Sequence, residues 1–244
     1  MSQNTAATHA ARTVIELREK IINGQLTGGT RLFEVPLAEE LQISRTPLRD
    51  AMSRLTEEGL LERLKNGGFV VRTFTMDDVV DAIELRGVLE GTAARLAAER
   101  GARQDLQSRM DHLVSELDDC FGESRDTVDF ERYSELNAEF HQVLASLSGS
   151  DMVKREVERV CRLPFASPSA FLPDRSDIVA FRRSLQVAQE QHRAIAAAIA
   201  AREGSRAEHL AREHARTARR NLDYVLRQEA SLRDQVPSLA IVTN

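Results

Sequence analysis

The 244-residue chain has no tryptophan, two tyrosines and nine phenylalanines, so aromatic residues make up only 5% of it. Its core must come from the aliphatic side chains that dominate a 42% hydrophobic fraction. There are two cysteines, Cys120 and Cys161, without a Cys-x-x-Cys spacing, which excludes a disulfide framework. Both are expected to be core or surface thiols rather than redox switches. Twelve glycines and six prolines are too few for collagen-like or low-complexity character. The balance of charged and apolar residues argues against global disorder. The longest apolar run, Ala194 to Ala201, has eight residues, against the roughly 18–20 that a membrane span needs. The N-terminal MSQNTAATHAARTV lacks the apolar core of a secretory signal. We therefore expect a cytoplasmic protein with no membrane partner, of a length that suits one large domain or two modest ones.

Positive charge is also scarce overall, the formal net charge being −5, but it is unevenly spread. Residues 1–75 hold 10 Lys/Arg against 9 Asp/Glu, whereas the rest hold 23 against 29. Between Ile43 and Arg72 six basic residues face four acidic ones. A local basic patch on an acidic body can bind DNA when that patch alone meets the phosphates.

Residues 1–75 read as a winged helix-turn-helix domain, 76–232 as an all-α bundle and 233–244 as a loosely held tail. In the first, Val14, Leu17, Ile21 and Ile22 have helical spacing within Arg12–Asn23, and Gly24 stops the helix. Leu37–Leu41 is a short helical stretch. Ser44 is an N-cap candidate with Pro47 in the first turn of the next helix. That helix carries Leu48, Ala51, Met52 and Leu55 on one face and closes at Gly59. Leu60–Leu64 and Phe69–Thr73 then flank Lys65-Asn66-Gly67-Gly68, a hairpin signal. From Met76 onward the periodicity predicts about six helices: Asp77–Arg100, Gln104–Phe121, Thr127–Leu147, Asp151–Leu163, Ile178–Arg202 and Ser205–Gln228. A proline-rich break falls at Pro164–Pro173. The fold class is thus mainly α.

Two short helices joined by Gln42-Ile43-Ser44 form a helix-turn-helix whose second helix presents Ser44, Arg45, Thr46 and Arg49 at its N-terminal end. That end of a recognition helix meets base edges and phosphates. Arginine can take guanine O6 and N7 together, and hydroxyls suit phosphate oxygens. The hairpin tip Asn66, Gly67 and Gly68 would be a wing. The spacing by itself leaves an ordinary helical hairpin open.

Elsewhere, His141, His192 and His214 stand in three long helices on faces shared with apolar residues. Asn137 lies one turn before His141 on the same face. Three imidazoles and one oxygen converging inside a bundle suit Zn, Ni or Mn. On spacing alone, three unrelated hydrogen-bonded histidines remain the simpler reading.

The run from Leu32 through Val71, with SRTPLRDAMSRLTEEGLL and NGGFVV, resembles the winged helix of GntR-type bacterial transcription regulators. ELRGVLEGTAARLAAERG (84–101), NAEFH, EQHRAI and EHARTARRNL resemble the helical FCD effector domain of the FadR-like branch. EFHQVLASLSGS is most similar to the vanillate-regulator (VanR) group. The resemblance covers about nine-tenths of the chain. It implies a homodimer that binds a palindromic double-stranded DNA operator through Ser44, Arg45, Thr46, Arg49, Asn66, Gly67 and Gly68. Some members place an arginine just before the first helix of the motif, where this chain has Glu34-Val35-Pro36, so that contact does not carry over. The resemblance also implies a divalent metal held by Asn137, His141, His192 and His214. An asparagine in place of the aspartate of some relatives leaves no anionic ligand, so an anionic effector is expected to supply the missing charge. Arg86 matches a position that holds the effector's carboxylate, with Tyr133 and Asn221 as further lining. The alternative for Arg86 is an ion pair with Glu90, four residues on, or a surface salt bridge.

The function implied is a ligand-responsive regulator, a repressor released by a small carboxylic acid, with aromatic acids as the first class to try. The segment Thr73–Asp77 would be its pivot. A metal-responsive regulator is the alternative. A metal-dependent hydrolase ranks lower, because neither Glu139 nor Glu190 is placed as a general base and no activated nucleophile is evident. The chain is expected not to be an enzyme.

Overall fold

The computed structural model describes residues 2–65, 67–123, 127–171, 179–227, 236, 239 and 241–243, with side chains from residue 11 onward. Asn66 lies outside the described residues. The chain divides into two compact units, residues 1–79 with 234–244, and residues 80–233.

The first unit opens with helix α1 (Ser2–Ile22), which starts well before the Arg12 that periodicity marks. Its Leu17 and Ile21 are fully buried, one turn apart. Helices α2 (Glu34–Glu40) and α3 (Arg45–Glu57) follow. The turn between them places Gln42 at φ 52°, a left-handed conformation that reverses the chain in three residues. Leu48, Ala51, Met52 and Leu55 bury one face of α3, and Arg18 of α1 ties to Glu58 at 2.7 Å. Gly59, at φ 78°, ends the helix, with Leu60 N–H reaching the Leu55 carbonyl at 2.9 Å and Gly59 N–H the Thr56 carbonyl at 3.0 Å.

The wing is an antiparallel sheet of β1 (Arg31–Leu32), β3 (Phe69–Val71) and β2 (Leu61–Arg63), in that spatial order. The hairpin register pairs Leu61 with Val71 and Arg63 with Phe69. Strand β1 has too few residues to leave a periodic signal.

Strand β4 (Phe74–Thr75) pairs in parallel with β5 (Val242–Thr243). This overturns the expectation of a loose tail. The physical reason is burial: Val236, Leu239, Ile241 and Val242 each keep less than a tenth of their surface exposed.

The second unit contains six helices among the described residues. They are α4 (Met76–Arg100), whose first turn lies in the first unit, α5 (Gln104–Asp118), α6 (Phe130–Leu147), α7 (Asp151–Cys161), α8 (Val179–Ala200) and α9 (Gly204–Arg227). Pro164–Ala166 make a single 3-10 turn in the proline-rich break. An aliphatic core including Leu113, Leu117, Leu144, Ile195 and Ile199, with Phe140 among them, fills the bundle. Two glycines let α4 and α9 close tightly. A Cβ at Gly87 would stand 3.0 Å from the Ala215 Cβ, and one at Gly91 would stand 2.8 Å from Arg212 Cγ. Arg86 and Glu90, the residues just before these glycines, are brought close to α9 in consequence.

Candidate metal centre and nucleic-acid face

His141 of α6, His192 of α8 and His214 of α9 are all buried, and their ring nitrogens converge. His192 Nε2 lies 3.1 Å from His214 Nε2, which lies 3.3 Å from His141 Nε2. Each ring turns its other nitrogen outward to an oxygen. His141 Nδ1 faces Glu90 Oε1 at 2.8 Å, His192 Nδ1 faces Gln189 Oε1 at 3.1 Å, and His214 Nδ1 faces Gln191 Oε1 at 3.1 Å. The orientation of Gln189 is fixed because its amide nitrogen donates to the Val114 carbonyl and to Asp118, both at 2.8 Å. Gln191 Oε1 also accepts from Thr217 at 3.2 Å.

Three oxygen acceptors on the outside put the protons on the three Nδ1 atoms and leave three Nε2 lone pairs facing inward. Lone pairs at this separation repel unless a proton or a cation sits among them. The proton is disfavoured. Burial, with His214 and His141 nearby, pushes His192 well below its ordinary value. Burial and His141 bring His214 down to about 3.

A cation fits. An ion held by imidazole nitrogens at about 2.0–2.1 Å sets two of them about 3.0 Å apart at a right angle and about 3.4 Å apart at the tetrahedral angle. The two separations from His214 Nε2, 3.1 and 3.3 Å, fall in that range, and all three ligand atoms lie within 4.8 Å of one another. The outward oxygens stand where metal-binding histidines commonly keep the acceptors that fix their tautomer.

The expected shortage of negative charge is partly met from those acceptors. Glu90 is fully buried. Burial alone would raise its carboxyl, but His141 and Arg86 outweigh that and hold it below the usual carboxylate range. Its second oxygen lies 3.8 Å from Arg86 Nε, so the ion pair considered as the alternative for Arg86 is present, and it is buried rather than superficial. Arg86 also donates to the carbonyls of Ala166 at 3.0 Å and Ala215 at 3.5 Å. Among the described residues, its Nε and Glu90 Oε2 have no hydrogen-bond partner.

Arg86, Tyr133 and Asn221, expected as effector lining, line one cavity together with Asn137 and His214 of the expected metal set. Asn137 donates to Ser169 at 3.1 Å, Asn221 accepts from Ser184 at 2.7 Å, and the Tyr133 hydroxyl reaches the Leu185 carbonyl at 3.5 Å. The cavity has about 20 Å³ for water centres, room for about one molecule. His141 also lines a groove of about 700 Å³ between α6, α7 and residues 167–168, lined also by Gln142, Lys154, Cys161 and Pro168. Burial pushes the Cys161 thiol up to about 12 and that of Cys120 to about 11, so neither is a reactive thiolate. Glu139, weighed for acid–base work, is taken up by Arg109 at 2.6 and 2.7 Å.

In the first unit, Ser44, Arg45, Thr46 and Arg49 are exposed together at the start of α3. Ser44 holds the N-cap position, but its hydroxyl makes no capping bond. The third residue of the helix is Pro47, which has no N–H to offer such a cap. At the wing tip Gly67 and Gly68 adopt φ 87° and 81°, values that glycine reaches without cost. A Cβ at Gly68 would stand 3.2 Å from the Leu32 carbonyl oxygen.

Residues 10–71 match the family model of bacterial regulatory proteins of the gntR family, and residues 81–217 match that of the FCD domain. The chain belongs to the GntR family. Within it, LutR of Bacillus subtilis is 30% identical over 210 residues, covering 77% of this chain and 89% of that protein. The Nta operon transcriptional regulator of Aminobacter aminovorans is 37% identical over 139 residues, 57% of this chain and 63% of that protein. The latter match therefore spans less than two thirds of the relative's length. Among solved structures, E. coli McbR/YncC shares the fold with a TM-score of 0.61 at 19% identity, covering 88% of this chain and 96% of that one. Among the described residues no helix is long and apolar enough to cross a membrane.

The GntR and FCD patterns point to the histidines but not to Gln189 and Gln191. Gln189 is buried and Gln191 half-buried, and only the tertiary contact shows their oxygens turned toward His192 and His214. The i, i+3 spacing of Gln189 and His192 is the one local signal that could have found the first of them.

Proposed function

We propose that this GntR-family chain is a DNA-binding transcription repressor with a divalent ion, Zn, Ni or Mn, in its helical unit, and that a small carboxylic acid bound there lowers operator affinity. The observation that carries the reading is the convergence of three Nε2 atoms, each backed by an oxygen on Nδ1, in a chain that also presents a winged helix. Asn137, His141, His192 and His214 would hold the ion, which supplies a positive centre for a carboxylate when bound. Arg86, Tyr133 and Asn221 would line the acid's cavity. Ser44, Arg45, Thr46, Arg49 and the wing glycines would meet DNA, with a homodimer reading two half-sites of a palindrome.

Repression is in keeping with relatives such as GlaR of Escherichia coli, a transcriptional repressor 26% identical over 81% of this chain. A gluconate operon transcriptional repressor of Bacillus licheniformis, 30% identical over 57% of this chain, is a further case. Because the cavity has room for about one water, acid binding requires it to widen. Only an effector that favours the widened state shifts the equilibrium.

That same tightness favours a second reading, in which the ion alone is the signal, since it fits without rearrangement. One experiment separates the two. Duplexes selected from a random pool with the full chain are titrated with metal-free protein, metal-loaded protein, and metal-loaded protein plus a panel of carboxylic acids, aromatic ones first. Release only in the last arm supports the acid reading. A change on loading alone supports the metal reading, and no selected duplex at all contradicts both.

A further inference from the structure

We propose that Glu34 is a specificity-determining residue of the DNA-binding face, holding Arg49 so that one edge of its guanidinium stays free for a base while its attraction to any phosphate is muted. The inference rests on the reading of α3 as a recognition helix. Glu34 opens α2, and its carboxylate takes Arg49 through two bonds, Nε to Oε1 at 2.8 Å and Nη2 to Oε2 at 2.6 Å. Arg45 Nη2 reaches the same Oε2 more loosely, at 3.5 Å. One anion thus faces both arginines of the exposed helix start.

The arrangement is asymmetric. The Glu34 side chain is 15% exposed, whereas those of Arg49 and Arg45 are 52% and 61% exposed. The anion sits behind and the cations sit in front, where DNA would arrive. A guanidinium has two double-donor edges, Nε–H with one Nη2–H, and Nη1–H with the other Nη2–H. Glu34 occupies the first. Among the described residues nothing occupies the second, and its paired donors match the O6 and N7 acceptors of guanine. A carboxylate that fixes the rotamer beforehand also removes part of the ordering cost of binding. The Arg49 hydrogen bonds hold the Glu34 carboxyl below its ordinary value, so the anion is in place at neutral pH.

Two effects are therefore combined at Glu34. Its charge offsets the pull of Arg49 and Arg45 on any phosphate backbone, and its geometry aims Arg49. They separate by substitution. Glu34→Gln removes the charge at nearly constant shape. Glu34→Asp keeps the charge but withdraws it by one methylene, losing the two-bond clasp.

Full-length wild type, Glu34→Gln, Glu34→Asp and Arg49→Ala are titrated against a duplex selected with the wild type and against a scrambled duplex, at several salt concentrations, with thermal melting of each protein alone. For Glu34→Gln we expect tighter binding to the scrambled duplex, a log–log salt slope steeper by about one, and a selected-to-scrambled ratio about tenfold lower. For Glu34→Asp we expect the wild-type salt slope with a similarly reduced ratio. Unchanged ratios in both variants, in proteins that melt like the wild type, would reduce the pair to an ordinary surface ion pair and overturn the proposal. If Arg49→Ala itself keeps the wild-type ratio, the recognition-helix reading fails and the role of Glu34 falls with it. A lowered ratio in Arg49→Ala beside wild-type ratios in both Glu34 variants would refute the role of Glu34 alone.

Discussion

Replacing Glu90 by glutamine tests the link between the buried ion pair and the histidine centre. Glu90 is fully buried, with Oε1 at 2.8 Å from His141 Nδ1 and Oε2 at 3.8 Å from Arg86 Nε. A glutamine of the same shape has two ways to lie. With its oxygen toward His141, its NH₂ faces the Arg86 guanidinium, donor against donor. With its NH₂ toward His141, the imidazole must accept there and carry its proton on Nε2, the atom aimed at His214. Either way the centre is impaired. Loss of such a second-layer partner weakens metal binding by about 10–100-fold, equivalent to about 1.4–2.8 kcal/mol. Arg86, only 2% exposed, also loses its counter-charge, and uncompensated buried charges of this kind cost about 3–5 kcal/mol. Competition with a chromophoric chelator measures the first effect and urea unfolding of the metal-free protein the second. Wild-type metal affinity in folded Glu90→Gln would refute the reasoning.

Three further outcomes follow from other parts of the molecule. In metal-free protein His192 and His214 stay neutral when buried, His214 down to about pH 3, while the unfolded chain takes up protons below about pH 6.5. The unfolded state then binds more protons, so the unfolding free energy from urea titration should fall as pH drops from 6.5 toward 3, by up to about 1.4 kcal/mol per pH unit for each histidine; a flat profile between pH 6.5 and 5 would contradict their burial as neutral rings. Gly91→Ala puts a methyl 2.8 Å from Arg212 Cγ and 3.0 Å from the Glu208 carbonyl oxygen, and should cost about 1–3 kcal/mol of stability and weaken metal binding; thermal melting and the same chelator competition check both. Ile241→Asp places a charge at a site only 1% exposed beside the β4–β5 pair and should destabilise the first unit by at least about 3 kcal/mol, read by urea unfolding; unchanged stability would mean that the C-terminal strand is not held there.

Much of the helical half was legible because aliphatic residues at three- and four-residue spacing mark α4 to α9 with little competition from aromatics or β-branched runs. The observed ends of α4, α6 and α7 fall within three residues of those expected. What was hidden has a common physical cause, namely dependence on partners distant in sequence. Strands β1 and β4 hold two residues each and exist only through β3 and β5. The final segment is short and was expected to be a loose tail, yet Ile241 and Val242 bury their side chains. Ser44 carries the signature of a cap, but the proline three residues later removes the donor. Glu90 was visible as a partner for Arg86, and only the packing of α4 near α6 reveals its bond to His141. Asn66 lies outside the described residues, so its place at the wing tip stays an expectation from sequence.

The measurement that bears most directly on the histidine centre is the metal content of tag-free, chelator-free protein, read by elemental analysis for wild type and His192→Ala side by side. About one Zn, Ni or Mn per wild-type chain, falling to near zero in His192→Ala, is the expected result. Equal content in the two proteins, or a wild type that gains no metal on dialysis against any of these ions, would contradict a metal centre at His141, His192 and His214.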